Sequence, residues 1–171
     1  ELKIFTPAVM LPITATDRPF NFDLFYAANR KGEKDKPKQN ILEWFVGFAE
    51  GDGSWQAHER GTCAFIVTQS TEDLVLLQYI RSNLGFGRII QQSSHCHRFV
   101  VQDKVGLSLI THIISGNIVF PTRTLIFQPF RVNTLLTSKR LSPITPITKK
   151  VIPTLSDARL SGYTDAEGRV S

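Results

Sequence analysis

Apolar residues recur along this chain with two periods, and the switches between them lay out its elements. Residues 41–51, "ILEWFVGFAEG", are apolar nearly all round and predict a buried helix. Asn40 stands at its start with Glu43 three positions on, the spacing of a capping box. In "SWQAHERGTCAFIVTQS" the period drops to two around Gly61, which predicts a hairpin over 54–60 and 62–69. Residues 70–85 return to a helical period. Ser70 or Thr71 caps that helix, Leu74, Leu77, Ile80 and Leu84 form its stripe, and Gly85 stops it. Residues 87–103 predict a second hairpin turning at "SSH", and 103–115 a helix stopped at Gly116-Asn117. A further helix spans 121–136, with Pro121 in its first turn and a bend at Pro129. The prolines of 142–156 mark a linker, and a last helix starts near Thr154. Residues 1–40, broken by Pro7, Pro12 and Pro19 and ending in the charged run 30–40, read as a peripheral arm. The order predicts an α+β fold, one four-stranded antiparallel sheet with helices on one face. The expected organisation is an arm over 1–40, a domain over 41–140, a linker over 141–153 and a second helical start over 154–171.

Alternation also sorts the strand residues by face. One face collects Ser54, Gln56, His58 and Arg60, then Thr62, Ala64, Ile66 and Thr68, then Arg88, Ile90 and Gln92, then Arg98, Val100 and Gln102. Trp55, Phe65, Val67, Phe99 and Val101 take the other. An antiparallel sheet can bury one face and leave the other open. Arg, Gln, His, Ser and Thr side chains can donate to base edges and phosphates in a wide groove. The pattern alone fits an ordinary solvated face as well.

Charge sharpens that choice a little. The formal net charge of +5 attracts polyanions. A chain of 171 residues, 42% hydrophobic, can build one sizeable core. No apolar run reaches the roughly 18–20 residues that span a bilayer. The first twenty residues lack the layout of a secretory signal and do not begin with Met. Two cysteines, Cys63 and Cys96, make no disulfide framework and point to a reducing compartment. His95, Cys96 and His97 crowd one turn but cannot close a tetrahedral zinc site without further ligands.

The strongest chemical signal is a repeat. "FVGFAEGDG" at 45–53 and "LSGYTDAEG" at 160–168 share the order apolar, small, Gly, aromatic, small, acid, small, acid, Gly. Gly47 and Gly162 carry no side chain, so two such helices can approach backbone to backbone. The terminal acids, Asp52 and Glu167, then meet at one end of the pair. Two carboxylates so placed repel unless a cation lies between them. Hard oxygen ligands facing a phosphodiester suit Mg²⁺. Glu50 and Asp165, two positions earlier, are expected to cap or solvate the helix ends.

These two stretches, with the α-β-β-α-β-β-α order between them, resemble the signature helices and half-domain of LAGLIDADG homing endonucleases over about residues 40–171. "GNIVFPTRTLIFQPF" at 116–130 is similar to a segment of the intron-encoded members of organelles. The resemblance implies a four-stranded saddle over duplex DNA and a cut through both strands of a long specific site at an intron insertion point. Asp52 and Glu167 align with the catalytic metal-binding acids, and the carbonyls of Gly51 and Ala166 with metal-facing backbone oxygens. Arg123 aligns with a basic position that stabilises charge on the phosphate. The ion implied is Mg²⁺, or another divalent cation such as Mn²⁺ or Ca²⁺. Lys139, Arg140, Lys149 and Lys150 can touch phosphates or merely solvate a linker, and the resemblance implies a mitochondrial or chloroplast interior as the place of action. Single-chain members follow the second helix with a second half, which here is expected to be absent, cut off, or supplied by another chain or a second copy. Arg159 and Arg169 depart from the family pattern, which more often has Trp and a small residue there, as does Thr124, where Lys is common. The alternatives are a maturase that helps intron RNA splice, and a relic that binds DNA without cutting.

Overall fold

The alternation in the two hairpins builds the sheet on which everything else rests. A computed structural model describes residues 20–137 and 157–167. Strands β1 (Gly53–Ala57), β2 (Cys63–Ser70), β3 (Arg88–Ser93) and β4 (Cys96–Val101) form one antiparallel sheet in the order β1-β2-β4-β3. The register aligns Ser54, Ile66, Val100 and Arg88 across all four strands, and Thr68, Arg98 and Ile90 across three. The opposite face carries Trp55, Phe65, Val67, Phe99 and Val101 into the core. The first hairpin is shorter than expected. His58, Glu59, Arg60 and Gly61 form its turn, closed by the His58 amide donating to the Thr62 carbonyl at 2.9 Å. Gly61 turns there at φ +82°, left-handed backbone that glycine takes without strain.

Helices α2 (Gln39–Asp52), α3 (Leu74–Leu84), α4 (Lys104–Ile114) and α5 (Pro121–Thr137) line the core side, and α6 (Arg159–Glu167) packs along α2. Each buries its apolar stripe: Leu42, Phe45 and Phe48 from α2, Leu77, Ile80 and Leu84 from α3, Ile110 and Ile113 from α4, Phe127 and Phe130 from α5. Asp103 caps α4 by accepting the Gly106 amide at 2.7 Å. Helix α5 runs on past Pro129.

Several expectations need correction. Helix α2 has no capping box. Lys38 is its N-cap, without a side-chain bond, and Glu43 is drawn elsewhere: it accepts from Gln39 and from the Ala158 amide just before α6. A single 3-10 turn, Thr71–Asp73, precedes α3, and neither Ser70 nor Thr71 caps the helix; Ser70 donates instead to Asp73. Residues 20–40 are not peripheral. Phe20, Phe22 and Phe25, around the short helix α1 (Asp23–Ala28), are buried in the core. Asn117 holds that segment by both its backbone groups, at 3.0 and 2.8 Å from Asn21. Asp157 and Ala158 are not helical, so α6 begins at Arg159; residues 154–156 and the whole linker over 141–153 lie outside the described residues.

Candidate active centre and nucleic-acid interface

The two glycine-bearing helices meet as their sequence suggested. A Cβ added to Gly47 would run into the Arg159 carbonyl, and one added to Gly162 into the Trp44 carbonyl. The contacts are reciprocal: Gly47 faces 159 and 163, Gly162 faces 44 and 48. Relative to its glycine each position has an equivalent on the other helix, Trp44 with Arg159 and Glu50 with Asp165. Two cross-helix bonds follow that symmetry. Trp44 Nε1 donates to Asp165 at 2.8 Å, and Arg159 donates to Glu50 through Nε at 2.9 Å and a terminal nitrogen at 2.6 Å.

The close approach brings Asp52 and Glu167 to the same end of the pair. A Cβ on Gly51 would lie 3.7 Å from a Glu167 carboxylate oxygen. Asp52 accepts a bond from Gln69 of β2 at 2.5 Å. Burial raises the Asp52 pKa above the ordinary carboxylate range. The Gln69 bond opposes that rise, the nearby Glu167 charge adds to it, and Arg123 opposes it. Arg123, in the first turn of α5, donates to the Gly51 carbonyl at 2.5 Å and reaches the Gly53 carbonyl at 3.4 Å, its guanidinium 5.8 Å from the Trp55 ring centroid. The Gly51 carbonyl, expected to face a metal, thus already accepts from Arg123; its second lone pair is left for another partner.

The donor set fits a hard divalent cation. Two carboxylates beside the Gly51 carbonyl are hard oxygen donors of the kind Mg²⁺ commonly takes. Among the described residues no three His, Cys, Asp or Glu side chains come together as a metal-holding group. His97 instead shares a 3.1 Å bond with Thr71.

The expected DNA face is only partly assembled as read. Ser54, Gln56, Thr68, Arg88 and Arg98 share the open face, as does Gln102 just past β4, where Arg88 bonds it. His58, Arg60 and Thr62 are exposed in the first turn, not on a strand, because pairing ends at Ala57 and Cys63. Gln92 falls in a register shift between Gln91 and Ser93 and is exposed there. Ala64 and Val100 share the face yet are buried, so its middle is apolar and its margins polar. Lys139, Arg140, Lys149 and Lys150 lie outside the described residues.

Sequence reasoning missed three residues. Gln69 sits on the core-side row of β2, where a polar residue after Phe65 and Val67 was the available signal. Glu50, expected to cap or solvate, is 1% exposed, and Arg159, read only as a departure at a helix start, is 4% exposed. Only the equivalence of their positions in the two repeats could have paired them.

Paired glycine-bearing helices over one antiparallel sheet, with an acid at each adjacent tip, are the arrangement of the LAGLIDADG endonuclease fold, and this chain has that fold. It is 40% identical over 129 residues to the probable intron-encoded endonuclease 4 of Neurospora crassa, across 73% of this chain and 23% of that protein. It is 22% identical over 143 residues to the probable intron-encoded endonuclease aI2 of Debaryomyces hansenii, across 84% of this chain and 20% of that one. The chain thus spans less than a quarter of the length of either relative. No protein-family model matches it. In fold it is similar to the LAGLIDADG meganuclease I-AabMI, solved bound to uncleaved DNA, with a TM-score of 0.55 at 17% identity over 73% of this chain and 56% of that one. The DNA-bound meganuclease I-CpaMI gives 0.51 at 17% identity, over 73% and 60%.

Proposed function

We propose that this chain is part of a homing endonuclease that hydrolyses both strands of a long, specific duplex DNA site at an intron insertion point. The observation that carries the reading is the glycine-to-glycine contact of α2 and α6, which brings Asp52 beside Glu167. Asp52 and Glu167 would hold divalent ions, Mg²⁺ before Mn²⁺ or Ca²⁺, with help from the Gly51 and Ala166 carbonyls. An ion bound there would lower the pKa of an attacking water and stabilise the leaving oxygen. Gln69 fixes the Asp52 carboxylate by its 2.5 Å bond. Arg123 has five N–H donors, and those not used on Gly51 and Gly53 are free to meet a phosphate oxygen.

The open sheet face would lie along one half of the site, with Arg88, Arg98, Ser54, Gln56, Thr68 and Gln102 toward base edges, and His58, Arg60, Thr62 and Gln92 at its margins. Helix α6 would open the second half of the saddle. The place of action we propose is a mitochondrion or chloroplast, on the likeness to intron-encoded proteins. No observation favours the maturase: both relatives carry endonuclease names.

The test is cleavage of the intron-less insertion site by the purified protein with Mg²⁺. Cutting that is lost in Asp52→Asn while binding stays within a few fold supports the proposal. Intact DNA alongside faster splicing of the host intron overturns it.

A further inference from the structure

Glu50 and Arg159 take no part in the chemistry proposed above, yet they are buried together beside it. The two oxygens of Glu50 do separate work. Oε2 accepts the Arg159 fork, at 2.9 and 2.6 Å. Oε1 accepts the amides of Val119 and Phe120, at 2.7 and 2.9 Å. Those residues lead directly into α5, whose first helical bonds run from the Arg123 and Thr124 amides to the Phe120 carbonyl. Arg123 is therefore one turn from the atoms that Glu50 holds.

Phe120 is gripped from the other side too. The Arg159 guanidinium lies 4.9 Å from its ring centroid, and Tyr163 of α6 packs against it at 5.2 Å. The start of α5 is thus fixed by a carboxylate from α2 and by a cation and an aromatic ring from α6.

We propose that Glu50 is a positioning residue that makes the placement of Arg123 conditional on the docking of α6. This rests on the role proposed for Arg123. With α6 away, Glu50 would be a buried anion without its counter-charge, a state that draws in water or moves the side chain. Either response releases the Val119 and Phe120 amides, and Phe120 loses both its covers. The first turn of α5 is then free to shift, and Arg123 leaves the Gly51 carbonyl. Arg159 and Glu167 stand about 12 Å apart along α6 at 1.5 Å per residue. One docking event therefore delivers an acid to the centre through one end of α6 and secures a cation there through the other. An isolated first half would have Asp52 without its partner acid and without a fixed arginine, and stray cutting would be suppressed.

The experiment is NMR and amide hydrogen exchange on the full chain, with no DNA present. In Arg159→Met, exchange at Val119 and Phe120 should speed at least tenfold, and the Arg123 side-chain NH signal should move to the position of a free arginine, while α3 and α4 keep their protection. Glu50→Met/Arg159→Met replaces the pair with apolar side chains, so α6 should stay docked if the single variant fails to fold. In that double variant Val119 and Phe120 should remain unprotected and Arg123 free. Wild-type protection and an unmoved Arg123 signal in either folded variant overturn the proposal. Because no cleavage is read, a negative nuclease assay leaves this outcome untouched, and the reverse also holds.

Discussion

The two cross-helix bonds at equivalent positions, Trp44 with Asp165 and Arg159 with Glu50, differ in nearly everything but place. The first is an indole donating to an exposed carboxylate. The second is a forked ion pair out of reach of water, with the carboxylate also holding two backbone amides. The glycine contacts around them are reciprocal, so the helix backbones are near-copies while the side chains have diverged. What sets the geometry of the joint is therefore kept twice, and what fixes its order is present once. A buried charge pair is a poor source of net stability, because desolvation offsets its attraction, but removing one member is severe. Helix α2 thus accepts α6 in a way it cannot accept a second copy of itself, since that copy would set Trp44, not a cation, against Glu50.

Breaking the buried bond should have the largest effect. Arg159→Met is expected to lower stability by about 3–5 kcal/mol, since Glu50 is left as an unpaired buried anion. Urea unfolding of both proteins checks this, and a loss below about 1 kcal/mol would mean water reaches Glu50 freely. Next comes the shared backbone contact. Gly162→Ala should cost about 3 kcal/mol, the upper end for overpacking, because the obstacle is the Trp44 carbonyl and not a side chain that can swing away. Trp44→Phe keeps a ring against Phe48 and loses the exposed bond with part of the edge contact to Tyr79, about 1 kcal/mol. If it cost as much as Arg159→Met, the contrast drawn above would be wrong.

The smallest effect has the opposite sign. Asp52 has a raised pKa in the folded protein, chiefly from burial, so the folded state binds its proton more tightly than the unfolded one. Stability contributed by this group falls as pH rises through the ordinary carboxylate range towards the raised folded value, and stays lost above it. Asp52→Asn should therefore melt slightly higher than wild type at neutral pH with chelator present, and the gap should close in acid. Adding Ca²⁺ should raise the wild-type melting temperature and leave that of Asp52→Asn unmoved. A variant less stable at neutral pH would show that the carboxylate is held by bonds, not strained.

The fold was largely legible because its signals are local. Period-two alternation around Gly61 and at "SSH", the stripe of Leu77, Ile80 and Leu84, and the stop at Gly85 all depend on neighbours within a turn or two. Gly47 and Gly162 were legible because a repeat doubles a weak signal. The errors have a common cause in partners distant along the chain. Glu43 leaves its expected capping role for Ala158, and Glu50 is buried only because Arg159 arrives from more than a hundred positions away. Phe20, Phe22 and Phe25 sit in a stretch whose prolines and charges look peripheral, and tertiary packing overrides that look. His58 and Arg60 continue the alternation of β1 on paper, but the chain has already turned.

The shift at Gln92 has a consequence of its own. Among the described residues β3 and β1 are the edges of the sheet, and β1 has only five residues. Unpaired edges invite strand-by-strand stacking of one molecule on the next, and a bulge or a short strand spoils the template. A bulged edge and a short one are both poor templates for such stacking, so the open sheet face can stay apolar in its middle without inviting a second molecule edge to edge.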